Sequence, residues 1–444
     1  MLQSASILSR RRFLAGAGAA FTCRSLPLDA EEASNPTPDG FQVLHARAGS
    51  VLREPGGVVS PIWGYEGAVP GPLLRVKHGE EVRLRLINAL PDPTAIHWHG
   101  VRVPSLAEGA LGASQVAPGA RFDYRFRPPD AGTFWYHAPR LDETPEQAAR
   151  QRLYGALIVE EAAPVEVDRE HVLVFDDWPI EPVDKPERTA AAASSIESFQ
   201  VLANGALVPD LAVRANERLR LRLVNAAKAR TVALRLDRHI ANVMAIDGQP
   251  SEPFQARDNR VTLGPGNTAD LFVDATLEPG AAAPILLADA RGETPLARLV
   301  YDGAPPSRPA PLASPRPLPA NPLPARLDLT HAVRFDLPID ELAHGTPAAR
   351  RQPARFKVKR GRTVMLALVN RGEFACAAHV HGHAFRLLDR LDDGWKPFWL
   401  ATVLVDARQI GRIAFLADNP GKWLIECVGI DHPRSITAAW FEVT

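Results

Sequence analysis

Cysteine is scarce in this chain of 444 residues, where only Cys23, Cys376 and Cys427 occur. Net charge is lacking as well: 51 basic residues balance 51 acidic ones, so neither nucleic acid nor an anionic membrane surface is favoured as a partner. Beyond the N-terminus no run is long and apolar enough for a transmembrane helix, and no membrane span is expected in the mature chain.

The N-terminus carries Ser9-Arg10-Arg11-Arg12-Phe13-Leu14 followed by AGAGAA at 15–20. The arginine pair, the Phe-Leu and the mild apolar run together resemble a twin-arginine export signal, with cleavage expected near Ala30 and the periplasm as destination. Cys23 lacks the small residue that precedes a lipidated cysteine, so no lipid anchor is expected. After removal of residues 1–30 only Cys376 and Cys427 remain. In an oxidising compartment two cysteines form a disulfide, stay as thiols or bind metal.

From Val43 to Glu161 short alternating stretches, such as LLRVKHGEEVRLRLIN at 73–88, are separated by Pro, Gly and Asp turns. This is the pattern of a β-sandwich. LAVRANERLRLRLVNA at 211–226 and ARFKVKRGRTVMLALVN at 354–370 repeat the motif of strand, turn, charged strand and Asn, which implies three copies of one unit. The Pro-rich segment 304–324 cannot pair in a central strand and reads as an extended linker. The expected organisation is a signal at 1–30, sandwiches at 41–161, 165–303 and 325–444, and the linker at 304–324. A helix is expected only around Glu143 to Arg152.

Histidines cluster at strand ends. His97-Trp98-His99-Gly100 and His379-Val380-His381-Gly382-His383 place imidazoles at i and i+2, on one strand face, as shared metal chemistry requires. Gly132-Thr133-Phe134-Trp135-Tyr136-His137 is another strand ending in His. The apolar run Trp423 to Val428 reads as a buried strand with Cys427 on one face and Glu426 and Val428 on the other. His432 follows Cys427 by five residues, a pairing of thiolate and imidazole that suits a soft metal.

These pieces, in this order and with GAVPGPLLRV at 67–76 and ADNPGKW at 417–423, resemble a three-domain multicopper oxidase of the laccase-like family. The resemblance implies three cupredoxin-like Greek-key sandwiches, copper as cofactor, and partners in dioxygen and a small reducing substrate such as a phenol, an aromatic amine or a metal ion. It assigns His97 and His379 to the Type 2 copper, and His99, His137 and His381 to the Type 3 pair. The other three Type 3 positions are Pro139, Glu426 and Val428. At the Type 1 copper Cys427 and His432 match, while Cys376 replaces a histidine and Thr437 an axial methionine.

Pro139 and Val428 offer no side-chain donor atom. Glu426 can still ligate, as a hard oxygen better suited to zinc or Cu(II) than to Cu(I). Both imidazoles that link the Type 1 cysteine to the cluster in the family are replaced beside Cys427. Cys376 and Cys427 are expected to close as a disulfide, to share a Cys2His metal site with His432, or to stay as free thiols. Ala401 replaces the acid of an Asp-Thr pair that the family often carries, whereas Thr402 is kept. With Met only at 1, 244 and 365, no Met-rich segment for cuprous ions exists. Asp247-Gly248 and Glu373 read as turn and surface residues, and the remaining histidines as structural or solvated. Two functions follow from the resemblance: a degenerate copper protein, partly occupied by copper or by zinc and with weak or lost oxidase activity, or a copper-free scaffold that binds a protein partner.

Overall fold

A computed structural model describes residues 37–52, 59–111, 114–139, 150–179, 199–388 and 395–444. The arginine-rich N-terminal stretch lies outside the described residues. The described residues form six sheets, two from each third of the chain, and each pair closes over its own apolar core. The alternation in the sequence explains this: every second side chain turns inward, and each fully buried Val, Leu or Phe contributes about 1.5–3 kcal/mol.

The threefold repeat has a specific structural cause. In each unit the opening strand pairs in parallel with the charged strand: Gln42–Leu52 with Val82–Asn88, Arg169–Pro179 with Arg218–Asn225, and Val333–Pro338 with Arg362–Val369. The Asn that ends each charged strand then holds the next loop. Asn88 accepts from the N–H of Leu90 and donates to the carbonyls of Asp92 and Val116. Asn225 treats Ala227, Arg230 and Leu263 in the same way, and Asn370 does so with Gly372, Phe374 and Val405. A side-chain amide satisfies a loop's buried backbone groups where no strand partner is available.

The units are bolted together by buried contacts. Arg220 pairs with Glu161 at 2.7 Å and with Asp270, while Arg222 reaches Glu170 at 2.5 Å and Thr133 at 2.9 Å. Between the first and third units, Arg102 bridges Asp130 and Asp418, and Arg350 donates to the carbonyl of Ala110. Residues 304–324 form no strand, as their prolines dictate, yet the segment is pinned. Arg218 donates to the carbonyls of Leu312 and Ala313, and the Asn321 amide bridges Ala131, Gly248 and Gln249. Most of the stretch expected as a helix, Glu143 to Arg152, lies outside the described residues, which resume at 150. At its end Gln151–Arg152 is instead a short strand, paired in parallel with Trp63 and Gly64.

Candidate metal centre

Two strand ends meet where the first and third units touch. On His97–His99 the central Trp98 enters the first core, which turns both histidines the other way. On Cys376–Val380 the inward residues are Cys376, Ala378 and Val380, which turns His379 outward, and His381 follows at the strand end. His137, at the end of Gly132–His137, pairs directly with His97. Period-two alternation thus delivers five imidazoles to one place. His97, His99 and His137 have ligand atoms within 4.8 Å of one another, as do those of His97, His379 and His381.

Hydrogen bonds fix the tautomers. A carboxylate only accepts, so His97 donates its Nδ1–H to the buried Glu108 at 2.9 Å. His379 donates Nδ1–H to the carbonyl of Ala401 at 2.8 Å, leaving its own Nε2 unprotonated. These two Nε2 atoms face each other at 3.2 Å. At that distance the two nitrogens share either a proton or a metal ion. Donors bound at about 2.0–2.1 Å to a tetrahedral ion stand ~3.3–3.4 Å apart, so the spacing fits a shared metal. His137 likewise donates Nδ1–H to the carbonyl of Ala138 and turns Nε2 toward His99 Nδ1, 3.4 Å away.

Burial, and then the neighbouring imidazoles, push His99 and His379 well below the ordinary histidine range, and burial lowers His381. Neutral imidazole is the metal-binding form. Burial alone would raise Glu108, but the imidazoles of His97 and His381 overcome it and hold its carboxyl well below the usual range. Imidazoles oriented by a carboxylate or a carbonyl on the second nitrogen are the usual supports of a metal site.

Several residues of this arrangement escape the sequence reading. Glu108 lies eleven positions after His97, and its only signal is an acid inside the apolar stretch Leu106-Ala107-Glu108-Gly109-Ala110. Asp247, read from sequence as a turn residue, is buried, and its carboxylate accepts from the backbone N–H groups of Thr268, Ala401 and Thr402 and from the Asn267 amide. It thereby fixes Thr402, whose Oγ1 sits 2.9 Å from His99 Nε2 and 3.1 Å from His379 Nδ1. Gly266, at φ +89°, closes the wall behind His99, where an added Cβ would stand 2.7 Å from the ring. The second unit therefore braces the histidines without supplying one. Glu373 is exposed, as expected, and pairs with Arg408. His383 is buried among Phe415, Trp423 and Phe441 and is a core residue.

The cysteine side is assembled differently. On Gly421–Gly429, Cys427 turns into the third core beside Cys376. Both are free thiols, so the disulfide alternative is not what the structure holds. Burial pushes Cys376 up to about 12 and Cys427 well above its ordinary value, and the Cys376 thiol points at the carbonyl of Val405, 3.8 Å away. Thr437 lies directly across the sheet from Cys427. His432 is exposed at the start of the next strand, with its ring stacked 4.2 Å from Phe374. Among the described residues, Cys376, Cys427 and His432 do not form a group of converging metal donors, so the expected Cys2His site is not assembled. The physical reason is that the two thiols pack inward as small apolar groups while the imidazole sits at the solvent edge.

The fit to a metal is therefore partial. Five imidazoles suit an ion, but Pro139 and Val428 supply no donor and Glu426 supplies oxygen, so the residues do not fit a three-copper cluster.

The comparisons with known proteins agree with this architecture. Residues 49–164, 169–283 and 320–444 each match a sequence profile described as multicopper oxidase. The chain is 26% identical to multicopper oxidase MmcO of Mycobacterium tuberculosis, over 94% of this chain and 93% of that one. It is 31% identical to cell division protein FtsP of Rahnella sp., over 64% of this chain and 63% of the other. Among solved structures, a multi-copper oxidase from Pseudomonas thermotolerans superposes with a TM-score of 0.75 at 31% identity, covering 90% of this chain and 98% of that one. Three profiles that between them span most of the sequence, and a fold shared along nearly its whole length, place this chain in the multicopper oxidase family.

Proposed function

We propose that this protein is an exported metal-binding member of the multicopper oxidase family whose oxidase activity is weak or lost. His97, His99, His137, His379 and His381 are the proposed metal ligands. The observation that carries the reading is the contrast across one strand: a histidine pocket braced from three units on one side, and two buried thiols parted from an exposed His432 on the other. In an intact relative a Type 1 copper collects electrons from a phenol, an aromatic amine or a metal ion, and flanking histidines pass them on to dioxygen. Here Glu426 and Val428 flank Cys427, and neither is an imidazole. The twin-arginine motif at 10–12 supports export to the periplasm.

The similarity to a protein named for cell division favours a second reading, a copper-free scaffold that binds a protein partner. One experiment separates the two. Mature protein, purified anaerobically and loaded with Cu(I), is analysed for metal content, visible spectrum and oxygen uptake on a phenolic substrate. About one ion per chain, no blue thiolate-to-copper band and oxygen uptake near the blank are expected. A full complement of copper with an intense blue band would overturn the loss of activity, and no bound metal would establish the scaffold.

A further inference from the structure

The Pro-rich segment between the second and third units is held against the protein along its length. Arg214 donates to the carbonyl of Pro305 at 2.6 Å, Asn216 to that of Arg308 at 2.8 Å, and Arg218 to those of Leu312 and Ala313. Farther on, Leu318 is buried beside Met244 and Phe272, and the Asn321 amide grips Ala131 and Gln249. Residues 315–322 read Pro-Arg-Pro-Leu-Pro-Ala-Asn-Pro. Their prolines fix φ at about −65°, and each residue that precedes a proline is pressed toward an extended ψ. Burial here has a period of three: Pro315, Leu318 and Asn321 turn toward the protein, while Arg316, Pro317, Pro319, Ala320 and Pro322 are exposed. Among the described residues no backbone hydrogen bond closes within 315–322. A repeat of about three residues per turn without internal hydrogen bonds is the polyproline II helix. Arg316, Pro319 and Pro322 therefore line one outward ridge of it.

We propose that this ridge is a docking surface for a protein partner whose groove is lined by aromatic side chains, with a carboxylate at one end to receive the Arg316 guanidinium. Grooves of that kind take Pro-x-x-Pro segments in the polyproline II form, and Pro319 and Pro322 have that spacing. Charge selects the carboxylate. Arg218 and Arg308, which also lie along the segment, are paired with Asp274 and Asp168, whereas Arg316 makes no ion pair or hydrogen bond among the described residues. Stiffness in a linker does not call for an unpaired cation in register with two exposed prolines. Because the protein already holds the segment in its extended form, docking costs little ordering entropy. The inference is independent of whether the histidine pocket holds metal.

The test uses the full mature chain and, as probe, an isolated SH3 domain that accepts Arg-x-x-Pro-x-x-Pro ligands, titrated by calorimetry beside a free peptide of residues 312–324. The folded chain is expected to bind at least as tightly as the peptide, because its ridge is already ordered. Arg316→Glu and Pro319→Ala should each weaken binding about tenfold or more, with the thermal midpoint of the wild type kept, while Pro309→Ala, off the ridge, leaves binding unchanged. Binding by the peptide but not by the folded chain would show the ridge closed off by its own protein and overturn the proposal. Failure of both to bind, or binding that survives both ridge substitutions, would overturn it equally. Self-association of the wild type in sedimentation, lost in Arg316→Glu, would seat a second copy of this chain on the ridge and overturn the choice of a foreign partner.

Discussion

Gly421–Gly429 is one strand with two fates. Glu426 faces the histidine pocket, and its neighbour Cys427 faces the core of the third unit. On the pocket side, four of the five imidazoles are held by a second contact: Glu108 for His97, Thr402 for His99, Ala401 for His379 and, next along the chain, the Ala138 carbonyl for His137. On the core side, Cys427 and Cys376 are held by packing alone apart from one weak thiol contact. The difference teaches where metal-binding geometry is robust. A ligand oriented by hydrogen bonds has a fixed direction with or without its ion, whereas a cysteine in an apolar core is interchangeable with any small hydrophobe.

The largest effect should come from breaking the pocket itself. His97→Ala or His379→Ala removes one of the two Nε2 atoms that face each other at 3.2 Å, and metal affinity should fall by more than about 100-fold, beyond what loss of an outer-shell partner costs. Equilibrium titration against a chelator reads this directly. Retained affinity in both variants would mean that the ion, if bound, lies elsewhere, and the comparison between the two faces would collapse.

Next in size is Asp247→Ala. It strips the acceptor from the N–H groups of Thr268, Ala401 and Thr402, each a buried donor that costs about 1–3 kcal/mol when left unmet. A loss of at least about 3 kcal/mol in denaturant unfolding is expected, together with about tenfold weaker metal binding, because Thr402 would no longer be fixed against His99 and His379. Destabilisation without any change in affinity would assign Asp247 to the joint between units alone.

What the sequence disclosed follows from this division. Strand alternation, the three Asn-terminated repeats and the i, i+2 histidines are local patterns, so the sandwiches and all five pocket imidazoles are legible in the sequence. Glu108, Asp247 and Gly266 were not, because their roles depend on which surfaces the three units press together. Periodicity carries no information about that. The cysteine side misleads for the opposite reason. Cys427 and His432 are five residues apart in sequence, but across the sheet Cys427 faces Thr437 while His432, beyond a register shift, pairs with Gly429 and ends at the surface.

A smaller effect should appear with pH. His99, His379 and His381 all sit below the ordinary histidine range in the folded protein, so the unfolded chain binds more protons than the folded one once pH drops. Their contribution is complete above the unfolded value of about 6.5 and is lost as pH falls below it. Metal-free protein should therefore lose more than about 1 kcal/mol of stability per pH unit between pH 6.5 and 5.5, measured by urea unfolding, since each proton taken up contributes about 1.4 kcal/mol per unit. Bound metal should be released over the same interval, because protons and the ion compete for the same nitrogens. A flat profile would show that the imidazoles are protonated in the fold and unfit as ligands.

The smallest effects are expected on the other face, and they test the comparison most sharply because they are predicted to be nearly nothing. His432→Ala alters an exposed ring whose described ring contact is with Phe374, and stability should stay within about 0.5 kcal/mol, as for most surface substitutions. Cys427→Ala removes one buried sulfur from a core and should cost about 1 kcal/mol. Neither should change the metal content measured by elemental analysis, since neither side chain belongs to a converging donor group among the described residues. Should both variants lose metal together, the thiol and the imidazole would have to approach each other in solution. The strand would then carry two metal sites rather than one, and the inward packing of Cys427 would be only one of its two arrangements.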